Sequence, residues 1–165
     1  MENLILFLNI VSYASSILFL ITVITGLVMW AKGVLPVLIR IGNGLSKKQI
    51  VIFAKNDNLT SLKKLLFDSG LFNKKKISEV STKGDLGVAE NKNVYLVFWH
   101  DWSDCIDDIL NLMEDKTALI VYAPQELGFI SKEAMEKLNN KRNVMVTNFR
   151  GRLLNDITTS IITTS

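Results

Sequence analysis

The chain begins with a long apolar segment that no charge interrupts. Residues 3–31 contain no charged side chain. At about 1.5 Å per residue, a helix of that length exceeds 40 Å, and about 20 apolar residues already cross the roughly 30 Å hydrocarbon core of a bilayer. The pattern predicts a transmembrane helix over residues 1–32.

A cleaved secretory signal and a buried soluble helix both fit the apolar segment poorly. A cleaved signal needs a basic start, a shorter apolar core and a small-residue cleavage site, whereas the only early charged side chain is Glu2 and the segment ends in Met-Trp-Ala-Lys. A helix buried in a soluble protein would need apolar cover on every side, which the remaining single domain is too small to provide.

The charges that flank the segment predict its direction. Lys32, Arg40, Lys47 and Lys48 follow it, while only Glu2 and the α-amino group precede it. The positive-inside rule then places the C-terminal domain in the cytoplasm. We expect a single-pass protein of the inner (cytoplasmic) membrane with its N-terminus outside.

One face of the predicted span is polar. Its residues fall within roughly 100° on a helical wheel, and they are Asn9, Ser12, Tyr13 and Ser16. A polar face within a membrane turns toward other protein or water, so a lone span with such a face predicts self-association and a pore lined by these residues. The alternative is that the hydroxyl groups bond back to carbonyl groups of their own helix.

Residues 33–46 predict a juxtamembrane elbow. The segment is apolar apart from Arg40, contains Pro36 and ends near a Gly-Asn-Gly sequence. We expect Pro36 to begin a short helix on the inner leaflet and Gly42 and Gly44 to end it. About a dozen residues interrupted by an arginine are too few for a second span.

Strand and helix patterns alternate over residues 47–165, the predicted cytoplasmic sensor domain. Short continuous apolar runs, typical of strands covered on both faces, occupy residues 49–54, 77–80, 94–99, 118–122 and 144–149. Helical spacing occupies residues 59–67, the stretch after Ser103, residues 131–140 and 152–162, with Asn58, Ser103 and Ser131 as N-caps. The alternation predicts an α/β fold with a doubly wound parallel sheet, flavodoxin-like or Rossmann-like.

Composition limits the chemistry. One cysteine, Cys105, excludes an intrachain disulfide, and one cysteine with one histidine cannot form a zinc site within the chain. Both counts suit a reducing cytoplasm, and we predict no cofactor and no metal.

Charge is segregated along the chain. The net charge is +7 over residues 40–76, −8 over residues 77–136 and +4 over residues 137–165. Either the first basic block lies near anionic lipid headgroups, or the first and last blocks meet and present one basic face to a polyanionic ligand.

The candidate ligand-binding residues directly follow the predicted strands, because parallel α/β sheets bind ligands at the carboxyl ends of their strands. Arginines suit phosphate groups, and Trp102 or His100 suits stacking on a base. Arg150 and Arg152 could instead pair with the acidic block or with lipid. The predicted set is Lys55, Asn56, Asn58, His100, Trp102, Asn148, Arg150 and Arg152.

Enzyme motifs are missing from the expected places. Neither GxxxxGK[ST] nor GxGxxG follows the first strand, and the acidic pair of a phosphoacceptor domain is reduced to Asp57. His100 and Cys105 are close in sequence, but at a strand end and a helix start they point in different directions. We predict that the protein is not an enzyme, with an anchored nucleotide hydrolase as a lesser alternative.

The N-terminal span, the Pro-containing elbow and the runs KKQIVIFA, VYLVFWH, ALIVYAP and NFRGRLLNDI together resemble small membrane effectors of bacterial antiphage systems. Hailong-type effectors, oligomeric ion channels controlled by single-stranded oligodeoxyadenylate, are the most similar. Transmembrane effectors of CBASS and type III CRISPR signalling, which respond to cyclic oligonucleotides, have a similar layout. The resemblance implies a homo-oligomer of four or more subunits, an oligonucleotide or cyclic-nucleotide signal, membrane depolarisation and a cognate nucleotidyltransferase encoded alongside.

Two functions of different classes follow. The first is an antiphage effector, an ion channel or pore gated by an oligonucleotide bound to the cytoplasmic domain. The second is a membrane-anchored interaction module without a pore, which would be a monomer in detergent and would conduct no ions.

Overall fold

The computed structural model describes the backbone of residues 2–164 and the side chains of residues 5–164 except those of residues 40, 43, 44 and 46. The chain forms two compact units, Met1–Ile41 and Gly42–Ser165. The predicted boundaries of the span, elbow and sensor domain stay predictions.

The first unit is helical. It contains helix α1 (Glu2–Gly33) and the start of α2 (Leu35–Lys47), whose last residues belong to the second unit. Within them, the helical stretch Ile5–Ile39 is long and apolar enough to span a membrane. Its large apolar side chains are exposed, which a membrane anchor explains because lipid would cover them.

The predicted end of the elbow helix is wrong. Pro36 lies in the first turn of α2, where its missing N–H costs nothing. The helix then continues through Gly42 and Gly44 as far as Lys47. A glycine inside a helix costs only about 1 kcal/mol relative to alanine. Leu45, which already belongs to the second unit, packs against a hydrophobic cluster of the same unit.

The second unit contains a five-stranded, wholly parallel sheet. Its strands are β1 (Ile50–Phe53), β2 (Ile77–Val80), β3 (Val94–Phe98), β4 (Ala118–Tyr122) and β5 (Val144–Thr147). Their spatial order is β2-β1-β3-β4-β5. This flavodoxin-like order confirms the predicted α/β doubly wound fold.

Helices cover both faces of the sheet. The remaining helices are α3 (Asn56–Asp68), α4 (Trp99–Trp102), α5 (Ile106–Leu112), α6 (Lys132–Asn139) and α7 (Leu153–Thr163). Successive strand residues point to opposite faces, which produces two core clusters. Val51 and Val97 pack with residues of α5 and α6, while Ile52 and Leu96 pack with residues of α3 and α7.

Two of the three predicted N-caps are wrong. Helix α3 begins at Asn56, so Asn58 lies inside its first turn, and the N-cap residue Lys55 makes no side-chain capping bond. Ser103 caps nothing because helical structure begins at Trp99, directly after β3. Ser131 is confirmed, since its hydroxyl accepts a hydrogen bond from the backbone amide of Ala134 at 3.2 Å.

Tyr95 is a buried polar side chain near the start of β3. Its hydroxyl donates to the carbonyl oxygen of Ala89 at 2.8 Å and lies 3.2 Å from that of Leu112. Burial, reinforced by the negative charges of Glu114 and Glu90, raises the pKa of Tyr95 to about 12. The tyrosine is therefore more acidic in the unfolded chain than in the folded one.

We expect alkaline pH to remove the stabilisation that Tyr95 provides. The stabilisation is complete below about pH 10, the unfolded pKa, and is lost as pH rises to about 12, for a total of about 2–3 kcal/mol. Chemical denaturation of wild type and Tyr95→Phe from pH 9 to 12 measures the effect, because other groups titrate equally in both proteins. Parallel stability curves would show that the hydroxyl does not respond to pH in this way.

Candidate functional site

The strand order places a topological switch point between β1 and β3. The chain leaves these neighbouring strands toward opposite faces of the sheet, which opens a crevice at their carboxyl ends. The predicted residues Lys55, Asn56 and Asn58 follow β1, and His100 and Trp102 follow β3. The other three predicted residues follow β5, on the far side of β4.

Asp101 organises the crevice, although it is not among the site residues predicted from the sequence. Its carboxylate accepts a hydrogen bond from the backbone amide of Lys55 at 2.7 Å and others from the side-chain amide of Asn58 at 3.2 Å. Between these two residues Asn56 adopts a left-handed conformation with φ 46°. Asn58 is thereby occupied within the protein, and a carboxylate lies where the sequence predicted an anion-binding site.

Trp102 belongs to the core and not to a stacking surface. Only 1% of its surface is exposed, and its ring meets that of Phe53 edge-on with centroids 5.6 Å apart. The Lys55 ammonium lies 5.6 Å from the centre of the same ring. The predicted role of Trp102 in stacking on a base is wrong, because the helical turn after β3 carries the ring under the crevice.

Two ring nitrogens near the crevice have no hydrogen-bond partner in the described part of the chain. They are Nε1 of Trp102 and Nδ1 of the half-buried His100. The centroids of the His100 and Phe98 rings are 6.1 Å apart. The Nε2 atom of His100 lies close to Gly128, since a Cβ atom added to this glycine would be 3.8 Å from that nitrogen. His100 therefore lies between the crevice and the loop that follows β4.

The exposed aromatic side chains of this edge are phenylalanines. Phe129, after β4, is 86% exposed, and Phe149, after β5, is 63% exposed. Phe129 lines a cleft of about 280 Å³ together with Gln125 and the predicted residue Asn148. Neither phenylalanine is among the site residues predicted from the sequence. Phe129 is an apolar residue in a predicted loop, which could have indicated it, whereas the sequence pattern places Phe149 in the last strand, which ends at Thr147 in the structure.

The predicted arginines lie beside Phe149. The Arg150 guanidinium donates to the carbonyl oxygen of Ser61 in α3 at 3.2 Å. Arg152 lines a second cleft of about 350 Å³ with Asn148 and Asn155. The Phe149 ring lies so close to Gly151 that a Cβ atom added to this glycine would be 2.7 Å from a carbon atom of the ring. Neither arginine forms an ion pair with any acid in the described residues.

Charge separates the edge into two parts. The segments that follow the strands cover residues 54–58, 81–85, 99–104, 123–131 and 148–152. They contain four lysines and arginines and five acids, so the edge as a whole is not basic. Acids dominate near β1 and β3, where Asp57, Asp101 and Asp104 lie, whereas both arginines follow β5. An anionic ligand is therefore favoured on the β5 side of the edge and not in the crevice.

Groups for covalent or metal chemistry are scarce at this edge. Cys105 is buried. It raises the pKa of its neighbour Lys83, with a smaller contribution from Asp108, so the lysine stays a cation and a poor nucleophile. Across the described residues, no group of three or more His, Cys, Asp or Glu side chains could hold a metal ion.

Some polar side chains of α1 form hydrogen bonds to carbonyl groups of their own helix. The hydroxyl of Ser16 donates to the carbonyl oxygen of Ser12 at 2.9 Å, and Thr25 bonds to Ile21 in the same way. Bonding back to the same helix was the alternative to self-association, and it holds for Ser16. The side chains of Asn9, Ser12 and Tyr13 make no hydrogen bond to other described residues.

No protein-family model matches the chain, and no curated protein or solved structure matches it.

We expect removal of the Asp101 carboxylate to loosen the loop after β1. Asp101→Ala leaves the Lys55 amide and the Asn58 side chain without their acceptor, which costs about 1–3 kcal/mol. Hydrogen exchange should accelerate at Lys55 and its neighbours in the loop. Asp104→Ala, which removes an exposed carboxylate with no such bonds, is the matched control, and equal exchange in both variants would contradict the role of Asp101.

Proposed function

We propose that this protein is a membrane-anchored sensor of antiphage defence, in which an oligonucleotide bound to the cytoplasmic α/β domain gates an ion-conducting pore formed by several copies of α1. Opening of the pore depolarises the membrane. In this proposal the chain crosses the inner membrane once with its N-terminus outside, and a nucleotidyltransferase encoded alongside makes the signal. The protein itself catalyses no reaction.

The ligand part of the proposal depends mainly on one observation. Two largely exposed phenylalanines, Phe129 and Phe149, lie in the loops that follow the neighbouring strands β4 and β5, and Arg150 and Arg152 follow Phe149 within three residues. Proteins that bind single strands combine aromatic rings, on which bases stack, with cations that track the phosphates. Exposed apolar surface rimmed by polar residues is typical of ligand-binding and partner-binding sites.

The structure also supports a change in the predicted set of ligand-binding residues. Trp102 is buried and Asn58 is bonded to Asp101, so neither is available to the ligand. Phe129 and Phe149 replace Trp102 as the stacking groups in the proposal. Asn148, Arg150 and Arg152 stay in the proposed site, on the β5 side of the edge. Lys55, Asn56 and His100 lie at the acidic crevice, so they stay predictions from the sequence and are not part of the proposed site.

The pore part of the proposal is supported by the unsatisfied face of α1. The side-chain amide of Asn9 and the hydroxyls of Ser12 and Tyr13 lack partners in the described chain, and in a lipid environment such groups gain from bonding to another helix. Interhelical polar bonds of this kind contribute about 0.6–2 kcal/mol each. When several copies assemble, these groups could form hydrogen bonds to each other or to water in a shared channel.

Gating requires that the ligand distinguish two states of the assembly. An oligonucleotide shifts the closed–open equilibrium only by its difference in affinity for the two states. The clefts lined by Asn148 extend from the strand ends toward α6 and α7, so a ligand there contacts elements on both sides of the sheet. A change in the spacing of those helices is the conformational difference that we propose the ligand senses.

A second candidate function has its own support. Leu127 is 55% exposed and lies two residues from Phe129 in the loop after β4, so this loop exposes two apolar side chains that a protein partner could cover. A membrane-anchored interaction module without a pore would use this loop. It differs from the first candidate in being indifferent to oligonucleotides.

We expect Phe129→Ala to weaken binding of a short single-stranded oligodeoxyadenylate about tenfold, because one stacked base is lost. Arg152→Ala should weaken the salt dependence of binding, because one phosphate contact is lost. The slope of log affinity against log salt concentration should become less steep by about 0.7. Arg142→Ala, which removes an exposed arginine at the opposite edge, is the matched control. Fluorescence anisotropy with the full chain in detergent measures both effects, and unaltered binding in both variants would remove these residues from the site.

We expect Asn9→Leu and Ser12→Leu to reduce both oligomer formation and ion flux, because two of the three unsatisfied polar side chains are removed. Thr25→Leu is the control, since Thr25 lies about 160° around the helix from Asn9 and its hydroxyl bonds internally. Cross-linking in liposomes reports assembly, and dye or ion release reports conductance. Permeabilisation that survives replacement of Ser12 and Ser16 by leucine in every copy would argue against the proposed lining.

A further inference from the structure

The edge of the sheet opposite the candidate site is strongly basic. In a parallel sheet all strands begin at one edge, here called the amino-terminal edge. Five segments lead into the strands, and they cover residues 47–49, 74–76, 90–93, 114–117 and 140–143. They contain nine lysines and arginines and only three acids, a surplus of six positive charges. The cations are Lys47, Lys48, Lys74, Lys75, Lys76, Lys92, Lys116, Lys141 and Arg142.

The strand register places these segments at one level. Ile50, the first residue of β1, pairs with Ile77 and with Val94, the first residues of β2 and β3. Val94 in turn pairs with Ala118, the first residue of β4. The starts of β4 and β5 differ by one residue. Five strands at about 4.8 Å spacing make this basic surface about 19 Å long.

The positive charges of this edge are not neutralised within the described residues. The ion pairs there involve Lys63, Lys83 and Lys137, none of which belongs to the edge. Lys92 donates to the side chain of Gln49 at 2.7 Å and keeps its charge. All nine side chains are exposed or half-buried.

The composition of the edge indicates what kind of polyanion it fits. The five segments contain only Lys, Arg, Asn, Gln, Asp, Glu and Thr, and no aromatic residue. Proteins that bind single-stranded nucleic acid combine a cationic groove with aromatic rings on which the bases stack, and this surface has the cations without the rings. Anionic headgroups offer charge without bases to stack, and they attract nearby lysines and arginines at about 1 kcal/mol each.

The chain itself brings this edge to a membrane. The apolar stretch that could span a bilayer ends at Ile39, and β1 begins at Ile50. The ten residues between them reach at most about 35 Å when fully extended, and less because α2 is helical as far as Lys47. The first strand therefore enters the sheet, at its basic edge, within reach of the headgroups.

We propose that the amino-terminal edge of the domain docks on the anionic headgroups of the leaflet from which the chain emerges. The docked domain presents its carboxyl edge, with Phe129 and Phe149, toward the solvent, because strands of four or five residues separate the two edges by about 13–17 Å. Docking and ligand binding use opposite edges, so this inference does not depend on the proposed ligand or pore.

The test uses the full chain in nanodiscs of phosphatidylcholine alone or mixed with phosphatidylglycerol. A donor dye on Asn140→Cys reports the amino-terminal edge and one on Glu126→Cys reports the carboxyl edge, both in a Cys105→Ala background, with acceptor dyes on the headgroups. We expect phosphatidylglycerol to increase energy transfer from position 140 and not from position 126. Salt at 1 M, which shortens the Debye length to about 3 Å, should abolish the increase.

Charge reversal separates docking from general electrostatics. Lys74→Glu with Lys75→Glu should lower the ratio of docked to undocked domains at least about tenfold. Lys64→Glu with Lys132→Glu changes the net charge equally on other surfaces and should leave the ratio unchanged. Lys141→Glu with Arg142→Glu, at the other end of the edge, tests the same surface if the first variant fails to fold.

Three results would overturn the proposal. Energy transfer from position 140 could be insensitive to lipid charge and salt. The Lys64 and Lys132 control could lose transfer as strongly as the edge variants. Finally, a single-stranded oligonucleotide on neutral nanodiscs could protect residues 73–76 and 140–143 from hydrogen exchange where anionic lipid does not, which would assign the edge to nucleic acid.

Discussion

Burial of both faces of the parallel sheet is the constraint on which the rest of the domain depends. Every residue of β1, β3 and β4 is buried, because helices pack on the two sides and strand residues alternate between them. A polar side chain in such a strand is costly to bury unless it has a hydrogen-bond partner within the protein. Tyr95 is tolerated because its hydroxyl donates a hydrogen bond to a backbone carbonyl. Most of the charged surface is therefore displaced to helix exteriors and to the two edges where the strands begin and end.

The two edges have different surface chemistry. The carboxyl edge contains loops of mixed charge, two exposed phenylalanines and clefts that extend to α6 and α7, which suits a discrete ligand. The amino-terminal edge is made of short, highly charged segments with no apolar side chain, which suits a diffuse polyanionic surface. If the two proposals above hold, membrane docking and ligand binding use opposite ends of the strands and do not compete for one surface.

The candidate site also shows that polar side chains which form hydrogen bonds within the protein are no longer available to bind a ligand. A carboxylate from the β3 loop binds two groups of the β1 loop, so the crevice at the switch point is already bridged by the protein. The less occupied side, after β4 and β5, becomes the better place for a ligand. In α1 the same principle separates Ser16, which bonds to its own helix, from Asn9 and Tyr13, whose side chains bond to no other described residue.

Local composition is enough to predict the order and type of nearly all elements. Continuous apolar runs identify buried strands such as 118–122, and an uncharged stretch of 29 residues identifies a helix that can cross a membrane, because neither signal requires knowledge of distant contacts. The availability of the strand-end side chains, in contrast, depends on tertiary packing. Trp102 and Phe129 are both aromatic residues after a strand, yet one is buried and the other exposed. That difference follows from the direction in which each loop leaves the sheet, which is set by packing between segments distant in sequence.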